Sequence, residues 1–130
     1  MRIVDTTFLI DLARGKSPAI AKAKEIGNEM VFLTELSVYE LSIGAHLHKD
    51  PQKQLGQIHA LLKNFEVLPL TREAAIAAGK IAGELSQQGA EIGDVDCLIA
   101  GIALAHRIPS IITRNGKHFG RVPGIVVEPY

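Results

Sequence analysis

Cysteine is almost missing from this 130-residue chain, and neither sign of charge is in excess. The single cysteine, Cys97, excludes an internal disulfide and fits a reducing compartment. No apolar run reaches the ~18–20 residues of a membrane-spanning helix. The first residues carry no charged segment, apolar segment and cleavage site in succession. The expectation is a soluble, cytoplasmic chain with no membrane partner. Lys and Arg together number 14, as do Asp and Glu, which argues against gripping nucleic acid by bulk charge alone. Neither a GxxxxGK[ST] nor a GxGxxG phosphate loop is present, which disfavours nucleotide-fold enzymes. "DTT", residues 5–7, lacks the second Asp of a phosphatase-type D-x-D. There is no internal repeat and no low-complexity tract.

What is present is a single domain's worth of chain, residues 1–130, with no polar linker dividing it. Apolar residues make up 47%, enough for a core. Short β-type runs alternate with helical ones. "RIVD", "MVFLT", "FEVLPL", "SIIT" and "GIVVEP" read as strands. Helices are expected over 6–15, 17–27 (with Ser17 as N-cap and Pro18 in the first turn), 35–49, 51–64, 71–88 and from Asp94 to about His106. Strands without strict alternation, separated by helices, point to a parallel sheet covered on both faces. Ligands in such folds sit beyond the carboxyl ends of the strands. Asp5 and the residues after Thr113 should lie there.

Charge is uneven within the neutral total. From Cys97 to Val127 there is no Asp or Glu, while Arg107, Arg114, Lys117 and Arg121 fall in that span. Arg114, Lys117 and Arg121 are the candidate phosphate contacts, because they flank the strand edge; the alternative is solvated loop charge. Cys97 reads as a small buried apolar group, and Asp11 as a surface or capping residue.

Four carboxylates need separate treatment. Asp5 ends an apolar strand at the ligand-binding edge; it would also serve as an N-cap, a task open to Thr6 or Thr7. Glu40 shares a helical stripe with Leu36, Ile43, Gly44 and Leu47, on a helix that reads as buried nearly all round. A charged carboxylate on an apolar face is costly unless paired or bound to a metal. Asp94 and Asp96 open the helix "CLIAGIALAH", and in helical geometry they diverge by about 160°. Asp94 fits the N-cap, while Asp96 lies on a stripe with Ala100 and Ala103 that allows close approach to the sheet. Three acids drawn together from Asp5, Glu40 and Asp96 would repel, and a divalent cation resolves that conflict. Oxygen-only ligands suit Mg²⁺ or Mn²⁺.

"VDTTFLID", "ELSVYELSIGA", "GDVDCLIAGIALAH", "IITRNGKHF" and "VVEP" resemble, in order and spacing, the PIN-domain ribonucleases, above all the toxin subunits of VapBC-type toxin–antitoxin pairs. The resemblance implies a three-layer α/β/α sandwich and an endoribonuclease that cuts RNA with Mg²⁺ or Mn²⁺. It also implies metal ligation by Asp5, Glu40 and Asp96. The family's fourth acidic position falls on Asn115, and Thr7 and Thr113 match hydroxyl positions near the metal. Asp94 falls in a more variable place, within reach of metal-bound water, and His118 stands where an acid is frequent. A cognate antitoxin and a homodimer are the implied partners, with Gln54 to Leu62 as a dimer face or as core. Two other readings stay open: a PIN-like module that binds RNA or protein without catalysis, and a receiver-like signalling domain.

Overall fold

A computed structural model describes residues 1–130. Along the chain run β1 (Arg2–Val4), α1 (Thr6–Ala13), α2 (Ser17–Ile26), β2 (Val31–Thr34), α3 (Glu35–His46) and α4 (Pro51–Leu62). They are followed by β3 (Glu66–Leu68), α5 (Arg72–Gln87), α6 (Asp94–Ala105), β4 (Ser110–Ile112), α7 (Gly116–Phe119) and β5 (Val126–Glu128). The five strands form one parallel sheet in the order β3-β2-β1-β4-β5. Ile3 stands beside Phe32 on one side and Ile111 on the other.

Successive residues of a strand point to opposite faces, and that alternation builds two cores. Ile3 and Ile111 face α5, α6 and α7, where they meet Ile99, Ile102 and Phe119. Val4 and Ile112 face α1 and α2, where they meet Phe8, Leu9 and Ala19. The result is the expected three-layer sandwich. Its strand order differs from the 2-1-3-4-5 of receiver-like domains, which removes that reading. No helix is long and apolar enough to cross a membrane.

Helix starts follow local chemistry. Thr34 caps α3 through the Ser37 N–H, and Thr71 caps α5 through the Ala74 N–H. Ser17 does not cap α2: it is the first helical residue, the cap position is Lys16, and no side chain bonds there. Pro18 near the helix start gives that end its preset geometry. Helix α3 is not buried all round. Leu36, Ser37 and Ala45 are buried, while Tyr39, Ile43 and Leu47 are 54%, 44% and 82% exposed. Helix α4 buries no residue completely, and within Gln54 to Leu62 only the end, at Leu61 and Leu62, packs against the core.

The chain winds outward from β1 to β2 and β3, then crosses back to lay β4 beside β1. The reversal therefore falls between β1 and β4. Their carboxyl ends open on the crevice where such sheets hold ligands.

Candidate active site

Asp5 follows β1 directly, and its N–H donates to the Ile112 carbonyl of β4 at 2.9 Å. It occupies the N-cap of α1, so the capping and the functional placements coincide. Its Oδ1 accepts from the Thr6 N–H at 2.8 Å. Its Oδ2 accepts from the hydroxyls of Thr113 at 2.8 Å and Thr7 at 3.2 Å. The residue is 2% exposed. Burial pushes its carboxyl up, the neighbouring charge of Asp96 adds to that, and the hydroxyl and N–H donors oppose it.

Glu40 reaches the same place from α3. Its Oε1 accepts from the Thr6 hydroxyl at 2.7 Å, and that hydroxyl lies 3.0 Å from Ser37 Oγ. Burial raises this carboxyl too, with the Thr6 bond opposing and the charges of Asp5 and Asp96 adding to the rise. Asp96, in the first turn of α6, is the third acid of the group. Its Oδ2 lies 2.8 Å from His118 Nδ1 of α7. Ala100 and Ala103, both wholly buried, let α6 approach the sheet.

Asp94 goes elsewhere. The N-cap of α6 is Gly93, with no side-chain cap bond, so Asp94 is not the cap. One residue of helical rotation short of Val95, it is exposed and borders a cleft with Ser86, Glu91 and Cys97. Its charge acts on Cys97 alone of these groups, whereas Asp96 acts on Asp5 and Glu40 as well as on Cys97. Its expected place in a supporting shell finds no contact with Asp5, Glu40 or Asp96 in the structure. Both acids still sit favourably at the helix's positive end. Cys97 is buried, and burial pushes its thiol up, which suits packing and not nucleophilic attack.

The loop after β4 closes the site. Thr113 is 1% exposed, and its hydroxyl accepts from the Asn115 N–H at 2.9 Å while donating to Asp5. Asn115 takes the N-cap position of α7 with no cap bond from its amide, which leaves that side chain without a partner in the helix. The Thr7 hydroxyl accepts from the Arg114 N–H at 3.2 Å.

Two of the three candidate phosphate contacts are already engaged. Arg114 Nη1 stands 3.1 Å from the Asp11 carboxylate. Arg121 Nη1 donates to the carbonyls of Ala90 and Glu91 at 3.3 and 3.0 Å. Lys117 is exposed and makes no such bond. Asp11 is not a surface residue: it is 3% exposed and also accepts from the Tyr130 hydroxyl at 2.8 Å. Burial and that bond push the Tyr130 hydroxyl up to about 12. The signal in the sequence was spacing. Thr7 and Asp11 are four apart on α1, and Ser37 and Glu40 three apart on α3, so each pair shares a face.

The donors fit a hard divalent cation. All three acids present oxygen, no Lys or Arg side chain bonds Asp5 or Glu40, and the charge of Asp96 helps raise both of those carboxyls. As the side chains stand, no three acidic, imidazole or thiol groups are drawn in to a common ligand spacing. Asp96 is held by His118 and Glu40 by Thr6.

A parallel three-layer sandwich with acids gathered at its switch point defines the class, a PIN-like domain. A family model described as PIN domain matches residues 2–125. The chain is 34% identical to a protein named ribonuclease VapC from Rickettsia bellii, over 96% of this chain and 92% of that one. It is 28% identical to the tRNA(fMet)-specific endonuclease VapC of Salmonella typhimurium, over 98% and 96%. The solved structure of DNA-bound VapBC from Salmonella typhimurium superposes with a TM-score of 0.85 at 26% identity, covering 98% of this chain and 96% of that one. The chain belongs to the PIN-domain family, in its VapC group.

Proposed function

We propose that this chain is a metal-dependent endoribonuclease and the toxin of a toxin–antitoxin pair. The observation that carries the reading is the gathering of Asp5 and Glu40 near Asp96 at the sheet's switch point, where the charge of Asp96 helps raise both carboxyls and neither has a basic partner. The relatives named as ribonucleases give the chemistry its direction. Mg²⁺ or Mn²⁺, held by these three acids with Asn115 in support, would supply a water of lowered pKa and neutralise charge on a phosphodiester. The chain's own residues do the positioning. Thr7 and Thr113 fix the Asp5 carboxylate, Thr6 fixes Glu40, and the Arg114–Asp11 pair anchors the loop that carries Thr113 and Asn115. Lys117 is the cation free to meet a phosphate.

Labelled RNA, with initiator tRNA first because the Salmonella relative is named for it, provides the test. Cleavage is expected with Mg²⁺ or Mn²⁺, to stop with EDTA, to vanish in Asp96→Asn and to be mostly kept in Asp94→Asn. Equal loss in both variants would sink the division between the two acids. Binding without cleavage across varied RNAs would favour the non-catalytic module, for which the neutral Asn115 is the foothold.

The antitoxin reading has a place to act. A groove of about 520 Å³ between α1, α3 and α4 is lined by Leu9, Leu41 and Ile58, with Glu40 also in its wall. It suits an amphipathic segment with apolar side chains along the groove and a cation towards the acids. A second copy of the chain would use the exposed row Tyr39, Ile43 and Leu47 instead of α4. Ile58→Asp is expected to abolish co-purification with the antitoxin encoded alongside and to leave a dimer intact by light scattering; Ile43→Asp is expected to do the reverse. Either variant giving the other's result overturns that assignment of faces. Action on cellular RNA places the protein in the cytoplasm under this reading.

A further inference from the structure

We propose that His118 is itself a ligand of this metal centre, making it a mixed nitrogen and oxygen site that prefers a first-row transition ion to Mg²⁺. The inference rests on the metal reading above and deepens it.

Its basis is the contact of His118 Nδ1 with Asp96 Oδ2, 2.8 Å across 22 residues of chain. The imidazole is brought there by a fixed turn. Phe119 is wholly buried, the N–H groups of His118 and Phe119 bond the Asn115 carbonyl, and Gly120 N–H bonds the Gly116 carbonyl at 2.8 Å. A Cβ at Gly120 would stand 2.7 Å from that carbonyl oxygen, so the turn is as tight as a glycine permits. His118 is thus presented to Asp96 by packed backbone.

Two donors in neighbouring positions on an octahedral ion, with bonds of about 2.1 Å, lie about 3 Å apart. The Asp96–His118 pair already has that spacing, and a turn of the imidazole off the hydrogen bond would aim Nδ1 at an ion held beside Asp96. The charge of Asp96 acts on Asp5 and Glu40, so the pair borders the acid cluster, with the imidazole on its solvent side. The donor types then decide selectivity. Asp5, Glu40 and Asp96 carry three charges, Asn115 offers a neutral oxygen and His118 a neutral nitrogen. Imidazole nitrogen binds first-row transition ions well, whereas Mg²⁺ keeps to oxygen and to its waters. An imidazole among the ligands, beside the neutral Asn115, therefore weakens the case for Mg²⁺ and strengthens that for Mn²⁺ or Fe²⁺. The competing role is outside the ligand set, with Nδ1–H merely orienting the Asp96 carboxylate.

Calorimetric titration of the purified chain with Mn²⁺ and with Mg²⁺, and pulsed EPR of the bound Mn²⁺, separate the two roles. Mn²⁺ is expected to bind at least about tenfold more tightly than Mg²⁺ and to show hyperfine coupling to an imidazole nitrogen. His118→Asp, at a side chain that is 46% exposed, is expected to fold normally by circular dichroism, to keep binding an ion, to lose the nitrogen coupling and to lose most of the preference. Bound Mn²⁺ without nitrogen coupling in the unmodified protein overturns His118 as a ligand while the metal reading stands. Coupling that survives His118→Asp overturns it equally, because another histidine is then the source. No binding of either ion overturns both.

Discussion

Glu40 sits half-buried against the Thr6 hydroxyl, with Asp5 and Asp96 as charged neighbours. Burial and those charges lift its carboxyl above the usual value, and Asp5 is lifted in the same way. A carboxyl whose folded pKa exceeds its unfolded one holds its proton more tightly in the folded chain. Stability from this source therefore falls as pH climbs from the unfolded value, about 4, through the raised one, and the full cost stands above it. Glu40→Gln keeps an acceptor for Thr6 and removes the charge. In EDTA at neutral pH it is expected to exceed the unmodified protein by about 1 kcal/mol, a Tm gain of a few degrees that shrinks to nothing near pH 4. Thermal unfolding across pH reads the difference, and an unchanged Tm at neutral pH would count against mutual repulsion. Asp11 shows the limit of reading residues singly. Its neighbours in sequence allow a surface position, but Arg114 and Tyr130 arrive from more than 100 residues away to bury it.

At the scale of elements, most helices and all five strands were legible, because periodicity and capping are local. Thr34 and Thr71 cap where they stand in sequence, and Pro51 opens α4 after Asp50. The packing between elements was less so. Helix α6 is apolar enough to read as central, yet nothing local marks Gly101 as its tightest point. A Cβ there would lie 2.5 Å from the Ala74 carbonyl oxygen and 2.8 Å from Ala78 Cβ on α5. Gly101→Ala is expected to wedge the two helices apart at a cost of about 2–3 kcal/mol, despite alanine's better helix propensity. Urea denaturation measures it, and a neutral or stabilising result would mean that α5 yields at no cost. Helix α3 carries the opposite lesson. Its apolar residues lie on all sides, but the neighbouring elements cover only part of it, which leaves Tyr39, Ile43 and Leu47 outside.

Over the whole molecule, one ion cluster ties the two ends of the chain together. Glu128 on β5 accepts from Lys22 Nζ of α2 at 2.7 Å and from Arg2 on β1. Burial alone would raise the Glu128 carboxyl, but the two cations outweigh it and hold it below its ordinary value. Its contribution is thus present above the unfolded value and lost as pH falls through the folded one. Glu128→Gln leaves the 8%-exposed Lys22 with only the more exposed Glu25 as counter-charge. The expected loss is about 2–3 kcal/mol by chemical denaturation at neutral pH, narrowing in acid. A loss below about 0.5 kcal/mol would show that solvent screens the cluster.

The sequence by itself determined the alternation of strand and helix and the parallel sheet covered on both faces. It also put Asp5, Glu40 and Asp96 forward, since strand ends, helix stripes and motif order are properties of neighbours along the chain. Only the tertiary structure decided the strand order, which turns back between β1 and β4 and so makes the crevice. It alone buried Asp11, engaged Arg114 and Arg121, turned Asp94 away and set His118 on Asp96. Each of those depends on which distant backbone packs alongside, and packing is settled by the joint burial of two cores that no local stretch contains.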